Sequence, residues 1–197
     1  SLDVELCGVP TTFALGGLHG ALRQYKAVAD EQYIIIHSDV GSLYPSIMLR
    51  YNLLTRAIPD IATYQAIKDT RMELKRKKDP LQKIYKRVLN STYGLSGAGR
   101  CVNGQYKAMS DAYDPRRMRE VCINGQLLIL QLIEDVDAAK LDCVLIQENT
   151  DGLIYKLNRK DLDQYLDICK TWEERTGLSL EHDYTTLLVQ RDVNNYI

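Results

Sequence analysis

The sequence predicts an α+β domain with a largely antiparallel sheet and helices packed on one face. Three observations lead there. The run Tyr33-Ile34-Ile35-Ile36-His37-Ser38-Asp39 is β-branched and apolar, the pattern of a buried strand. Two short strand-like segments, 143–147 and 153–156, are separated by a stretch containing Asn149-Thr150-Asp151-Gly152, which reads as a tight hairpin of neighbours. Other long segments carry apolar residues at three- and four-residue steps, the period of a helix packed on one side.

Composition agrees with one globular domain. The chain has 197 residues, 45% hydrophobic and 26% charged, with 5 Pro and 12 Gly, which excludes disorder and collagen-like structure. At this length roughly 70% of the unfolded surface is buried on folding, so no disulfide or metal staple is needed. The longest apolar run, Leu127-Leu128-Ile129-Leu130, ends at Gln131, far short of the roughly 20 residues that cross a bilayer. No charged-then-apolar leader opens the sequence, so a soluble, cytoplasmic protein is expected, with no membrane partner. Cys7, Cys101, Cys122, Cys143 and Cys169 are odd in number, widely spaced and without a C-x-x-C pair. They signal neither a disulfide framework nor a zinc site, and a reducing compartment follows.

Taken in order, residues 1–32 contain Phe13-Ala14-Leu15-Gly16-Gly17-Leu18-His19-Gly20. This is too irregular for a helix and reads as a loop leading into the domain. The strand over 33–39 then delivers Asp39 to its C-terminal edge. Pro45 punctuates the exit, and a helix can begin there because proline suits a first turn. A charged helix is expected from Ile61 to about Lys78, broken by Pro80, with a second from Leu81 to Tyr93; together they make a helical hairpin. In the second helix Leu81, Ile84, Tyr85, Val88 and Leu89 are expected to face the core, leaving Lys83, Lys86, Arg87 and Asn90 on the other side. Asp114-Pro115 opens a third helix running to about Asp137, with Met118, Val121, Cys122, Gly125, Leu128 and Leu132 on one stripe. The Asp151-Gly152 pair suits positive φ and sets a second carboxylate at a strand end. A fourth helix from about Arg159 to Arg175 stops at Gly177, and strand-like segments at 178–180 and 187–189 follow.

Asp39 and Asp151 converge if their strands are neighbours. Two carboxylates held close are unfavourable unless cations neutralise them. Mg²⁺ suits such a pair, because it takes one or two carboxylates plus phosphate oxygens and water, and two such ions stabilise an in-line phosphoryl displacement. Read singly, each Asp is as well explained as a turn former or a helix cap. Net charge is −1, yet residues 68–87 hold nine basic against three acidic side chains. Arg71 and Lys75 lie four apart on one helix face, as do Lys86 and Asn90 on the next. That spacing is able to hold a triphosphate. A solvated charged face, with Asp69 and Glu73 as local ion-pair partners, is the alternative.

The segment Asp39-Val40-Gly41-Ser42-Leu43-Tyr44-Pro45-Ser46-Ile47 resembles the first palm signature of family B DNA polymerases. Lys86-Arg87-Val88-Leu89-Asn90-Ser91-Thr92-Tyr93-Gly94 is similar to that family's fingers signature, K-x-x-x-N-S-x-Y-G. Asn149-Thr150-Asp151-Gly152 resembles its second palm carboxylate motif, usually D-T-D-S. All three stand in the family's order. Gly16-Gly17 resembles the tyrosine-x-glycine-glycine linker near the template strand, with Ala14 in the tyrosine's place. Asp192-Val193-Asn194-Asn195-Tyr196 resembles the lysine- and tyrosine-bearing element after the palm, with asparagines for the basic residues.

The resemblance implies a polymerase palm with short fingers: 1–32 linker and pre-palm segment, 33–60 first part of the palm, 61–95 fingers hairpin, 96–197 second part of the palm. So small a fingers element is most like the phage-type members, which would place the protein in a host cell's cytoplasm. It further implies that Asp39 and Asp151, with the Val40 carbonyl, hold two Mg²⁺ ions, for which Mn²⁺ substitutes. Leu43 and Tyr44 would offer backbone N–H groups to a deoxynucleoside triphosphate, and the Tyr44 ring would exclude a 2′-hydroxyl. Arg71, Lys75 and Lys86 would grip the phosphates, and Asn90 and Tyr93 would sit against the nascent base pair. Asn149 stands where the family has its first, less essential acid. Primed DNA and dNTPs are the implied partners. The family's exonuclease and thumb have no counterpart in these residues, so a separate chain supplying either is a further expected partner. With net charge −1 there is little to retain a duplex. The alternative reading is therefore a catalytically weak or inactive DNA- or nucleotide-binding fragment that completes a split polymerase.

Overall fold

A computed structural model describes residues 1–58 and 60–197, with every side chain among them except that of residue 106. The chain forms two compact units, one from residues 1–43 and 123–197, the other from residues 44–122.

The first unit is built on a seven-stranded sheet, with strands β1 (Leu2–Leu6), β2 (Val9–Ala14), β3 (Gly17–Ala21), β5 (Tyr33–Val40), β8 (Cys143–Glu148), β9 (Gly152–Asn158) and β10 (Leu180–Thr185). Their order is β1-β2-β3-β8-β9-β5-β10, and every neighbouring pair is antiparallel. A smaller sheet of β4 (Tyr25–Val28), β11 (Leu187–Asp192) and β12 (Asn195–Tyr196) shares a core with it through Ala27, Ile35, Ile146, Ile154 and Leu188. Strand residues alternate between faces, so Ser38 and Tyr155, on the face opposite Ile35 and Ile154, meet the helical layer. Helix α5 (Leu162–Thr176) brings Tyr165 there, its hydroxyl 2.7 Å from Ser38 Oγ and its ring 5.7 Å from that of Tyr155. Trp172 of α5, fully buried, donates its indole N–H to the Leu128 carbonyl of α4 (Pro115–Ala138) at 2.9 Å. Gly177, at φ +72°, ends α5 in the left-handed conformation that glycine tolerates best.

The glycine-rich segment 13–20, expected as a loop, instead lies largely within β2 and β3, and residues 2–28 form four strands, β1 to β4. The segment's glycines punctuate and relieve strands rather than loosen them. Gly16 sits in the β2–β3 turn, while Gly20 in β3 makes room for a side chain of β8: a Cβ there would lie 2.7 Å from Glu148 Cδ.

The second unit holds α1 from Tyr44 onward (the helix spans Leu43–Arg50), α2 (Ile61–Arg76), α3 (Gln82–Ser96), the hairpin β6 (Gly99–Val102) and β7 (Gln105–Ala108), and the start of α4. Asp60 caps α2, its carboxylate accepting the N–H groups of Ala62 and Thr63. Tyr64, 4% exposed, ties α2 to α3 through a 3.1 Å bond from its hydroxyl to the Leu89 carbonyl. The α3 face differs from expectation. Leu89 is buried and Tyr85 half-buried, but Leu81, Ile84 and Val88 are 51%, 57% and 45% exposed. The buried stripe runs instead through Leu89, Thr92 and Ser96, whose two small side chains let the helix approach its neighbours closely. Apolar spacing defines a stripe but does not say which stripe meets the protein.

Glu148 is fully buried; its Oε1 accepts from the Thr11 hydroxyl and its Oε2 has no hydrogen-bond partner among the described residues. Burial pushes its carboxyl up to about 7 from an ordinary 4.5, against the smaller opposing effect of Thr11. The folded state thus prefers the protonated form. Its contribution to stability is fullest below pH 4.5 and is lost as pH rises through about 7. Relative to the parent, Glu148→Gln should gain up to about 3 kcal/mol between these limits, measured by denaturant unfolding at stepped pH. Parallel pH profiles for the two proteins would show that Glu148 is ionised in the fold.

Candidate active site

In the first unit, strand register brings Asp39 and Asp151 to one end of the sheet. Asp39 lies opposite Gly152, and the N–H of Val40 donates to the Asp151 carbonyl at 2.6 Å. Asp151, in the turn just before β9, is thus one residue out of register from Asp39 across this strand pair, and both acids are exposed to solvent. Gly152 does not take the positive φ expected of it. It matters for space: a Cβ there would lie 2.9 Å from Asp39 Cγ, because the Asp39 carboxylate rests over the glycine.

The turn carrying Asp151 is held from both sides. Asn149 Oδ1 accepts the Asp151 N–H at 3.0 Å, and the Asn149 N–H donates to the Gly152 carbonyl at 2.9 Å. At this position the amide oxygen acts as a turn acceptor, a role an aspartate would fill equally. Thr150 packs on the β2–β3 turn, with its Oγ1 3.4 Å from His19 Nε2. Gly17, at φ +151°, has no room for a side chain, since a Cβ would meet Thr150 Cγ2 at 2.9 Å. The Gly16-Gly17 segment thus buttresses the carboxylate turn.

Glu181 of β10 lies opposite Asp39 on its other side. Sequence reading missed this third acid because nothing local marks it; only the strand order β9-β5-β10 brings it alongside. Glu148, although close in sequence, does not join the group. It pairs with Leu153 and so faces the opposite side of the sheet from Asp39 and Gly152.

Among the described residues no three His, Cys, Asp or Glu side chains cluster tightly enough to hold a metal ion by themselves. The donors at this edge are hard oxygens: two exposed carboxylates and the nearby Val40 carbonyl. That set fits Mg²⁺ or Mn²⁺, which complete their shells with water and phosphate, better than zinc, which takes three or four protein ligands.

In the second unit, Arg71, Lys75, Lys86 and Asn90 line one cleft of about 780 Å³. Gln82, Lys83, Arg87 and Ser91 complete its lining, giving five cations and no carboxylate. Such a concavity concentrates positive potential and favours a polyanion. Arg71 is only 5% exposed, its guanidinium passing 3.8 Å from Met72 Sδ, whereas Lys86 and Asn90 are exposed. Lys83 and Arg87, missed as lining residues, are themselves four apart, beside the Lys86–Asn90 pair on α3.

Leu43 and Tyr44 open α1, at the positive end of its dipole, with Pro45 in the first turn as expected. The Tyr44 and Tyr93 rings lie 4.4 Å apart, tilted by 32°. Burial first, and the Cys122 thiol next, push the Tyr93 hydroxyl far above an ordinary phenol.

Gly152→Ala should lower thermal stability modestly, because the added Cβ meets chiefly the movable Asp39 carboxylate but also lies 3.1 Å from the Ser38 backbone oxygen. It should weaken Mn²⁺ binding roughly tenfold or more by displacing the Asp39 carboxylate, as read by electron paramagnetic resonance titration. Unaltered affinity would show that Asp39 does not act from its place over Gly152.

No protein-family model and no curated protein sequence matches the chain. Solved structures do. The fold is similar to that of the family B DNA polymerase from the hyperthermophilic archaeon Pyrobaculum calidifontis, with a TM-score of 0.53 and 17% identity, covering 89% of this chain. The match spans 28% of that polymerase. The likeness is one of fold: an α+β domain with antiparallel sheets, distantly polymerase-like.

Proposed function

We propose that this chain is the nucleotidyl-transfer core of a template-directed DNA polymerase. The observation that carries the proposal is the strand register that brings Asp39 and the Asp151 turn to the same exposed end of the sheet, in a fold similar to a family B DNA polymerase. The carboxylate edge binds divalent cations, and the cationic cleft binds the triphosphate of a dNTP.

In this reading Asp39, Asp151 and the Val40 carbonyl hold Mg²⁺. A metal bound there would supply positive charge that offsets the charge developing in the displacement. Arg71, Lys75 and Lys86 neutralise the triphosphate through charge-assisted hydrogen bonds. The first-turn amides of Leu43 and Tyr44 add the partial positive charge of a helix start. The Tyr44 ring packs beneath the deoxyribose and leaves no room for a 2′-hydroxyl, while Asn90 and Tyr93 test the shape of the new base pair. The primer 3′-hydroxyl gives its proton to solvent as its oxygen bonds the α-phosphorus, and the bond from that phosphorus to the bridging oxygen breaks to release pyrophosphate. Primed DNA is the second substrate.

The test is primer extension on a short primed template with Mg²⁺ or Mn²⁺. The Asp39→Asn/Asp151→Asn double variant should lose extension while keeping the parent's thermal midpoint. Lys86→Ala should raise the KM for dNTP roughly tenfold. Extension that survives the double substitution would end the proposal.

A further inference from the structure

The second unit contains a linked trio the sequence did not suggest. Tyr44, at the unit's first position, stacks on Tyr93 of α3, and the Tyr93 hydroxyl lies 2.7 Å from Sγ of Cys122 on α4, the unit's last position. Cys122 is 2% exposed, so its thiol is held within packed neighbours rather than wandering in solvent. A tyrosine ring has two side-chain torsions. Stacking on one side and a hydrogen bond at the far tip together restrain both. A ring that screens sugars by shape must be held to a fraction of an ångström, and that precision comes from the groups behind it.

We propose that Cys122 is a positioning residue for sugar selection: its hydrogen bond sets the Tyr93 ring, and that ring sets Tyr44 against the 2′ position of the incoming nucleotide. The inference rests on the nucleotidyl-transfer reading of Tyr44. Cys122 touches no substrate and acts through the two tyrosines. Its substitution should therefore change which sugar is accepted more than how fast the correct one is used.

The experiment compares the parent with Cys122→Val, Cys122→Ser and Tyr93→Phe, measuring kcat/KM for one dNTP and its matching ribonucleotide on a primed template, and the binding of both by calorimetry. Valine removes the hydrogen bond at similar volume; phenylalanine removes it from the other side, together with the Tyr93 hydroxyl's own contact with Tyr44, without altering the α4 core. Both should lower discrimination roughly fivefold to tenfold, mainly by improving use of the ribonucleotide, and Cys122→Ser should retain the parent's ratio. A purely structural role would lower kcat/KM for both nucleotides together. Overturning results are of two distinguishable kinds. Discrimination unchanged in Cys122→Val and Tyr93→Phe, but lost in Tyr44→Ala, would remove Cys122 from the mechanism and leave the polymerase reading standing. A parent that neither binds nor incorporates either nucleotide would remove both.

Discussion

The pairing of β5 with β9 is the constraint on which the candidate site depends. Side chains alternate with a period of two along a strand, so a slip of one residue would turn Asp39 from its exposed place over Gly152 into the helical layer. The register is pinned at several points. Ser38, fully buried, bonds Tyr165 of α5 at 2.7 Å and His182 of β10 at 2.9 Å, fixing the residue before Asp39 between layers. The Val40 N–H, on its other side, is committed to the Asp151 carbonyl. Asp39 is thus an exposed acid mounted between two buried anchors, which is how a charged group can be both accessible and well placed.

The second unit solves a different problem, since its cleft gathers five cations with no acid among the lining residues. Like charges held together work against folding, and here the apolar packing of Tyr64 and Leu89 beneath the hairpin offsets that repulsion. Acids are kept to other faces: Glu73 pairs with Lys77 along α2 at 2.5 Å, outside the cleft lining. The concavity is left positive, a state that an anion relieves.

Much of this was legible from residue order. The apolar run over 33–39 ending in an acid, the short spacing between segments 143–147 and 153–156, and the apolar stripe of α4 opened by Asp114-Pro115 are local signals, and the elements formed where those signals lay. What escaped was non-local. Glu181 becomes a neighbour of Asp39 only through strand order. Gly152 looked like a turn residue, yet its role is set by a side chain on another strand. The glycines of residues 1–32 looked like loop residues for the same reason: Glu148 and Thr150, which explain Gly20 and Gly17, lie far along the chain. On α3 the periodicity was real, but Leu81, Ile84 and Val88 face outward because Thr92 and Ser96 offer the closer approach.

The trio that links Tyr44, Tyr93 and Cys122 has a consequence for how the chain assembles. The first unit is discontinuous: β5 precedes the inserted residues 44–122 and β9 follows them. Bringing two such distant strands together carries a loop-closure cost, and long-range pairings are slow to form. The trio joins the first and last residues of the insert, so a folded insert behaves as a short tether between the two halves of the sheet. Helix-rich and closed on itself by the trio, a folded insert leaves the acid-bearing strands an effective loop much shorter than the number of intervening residues implies.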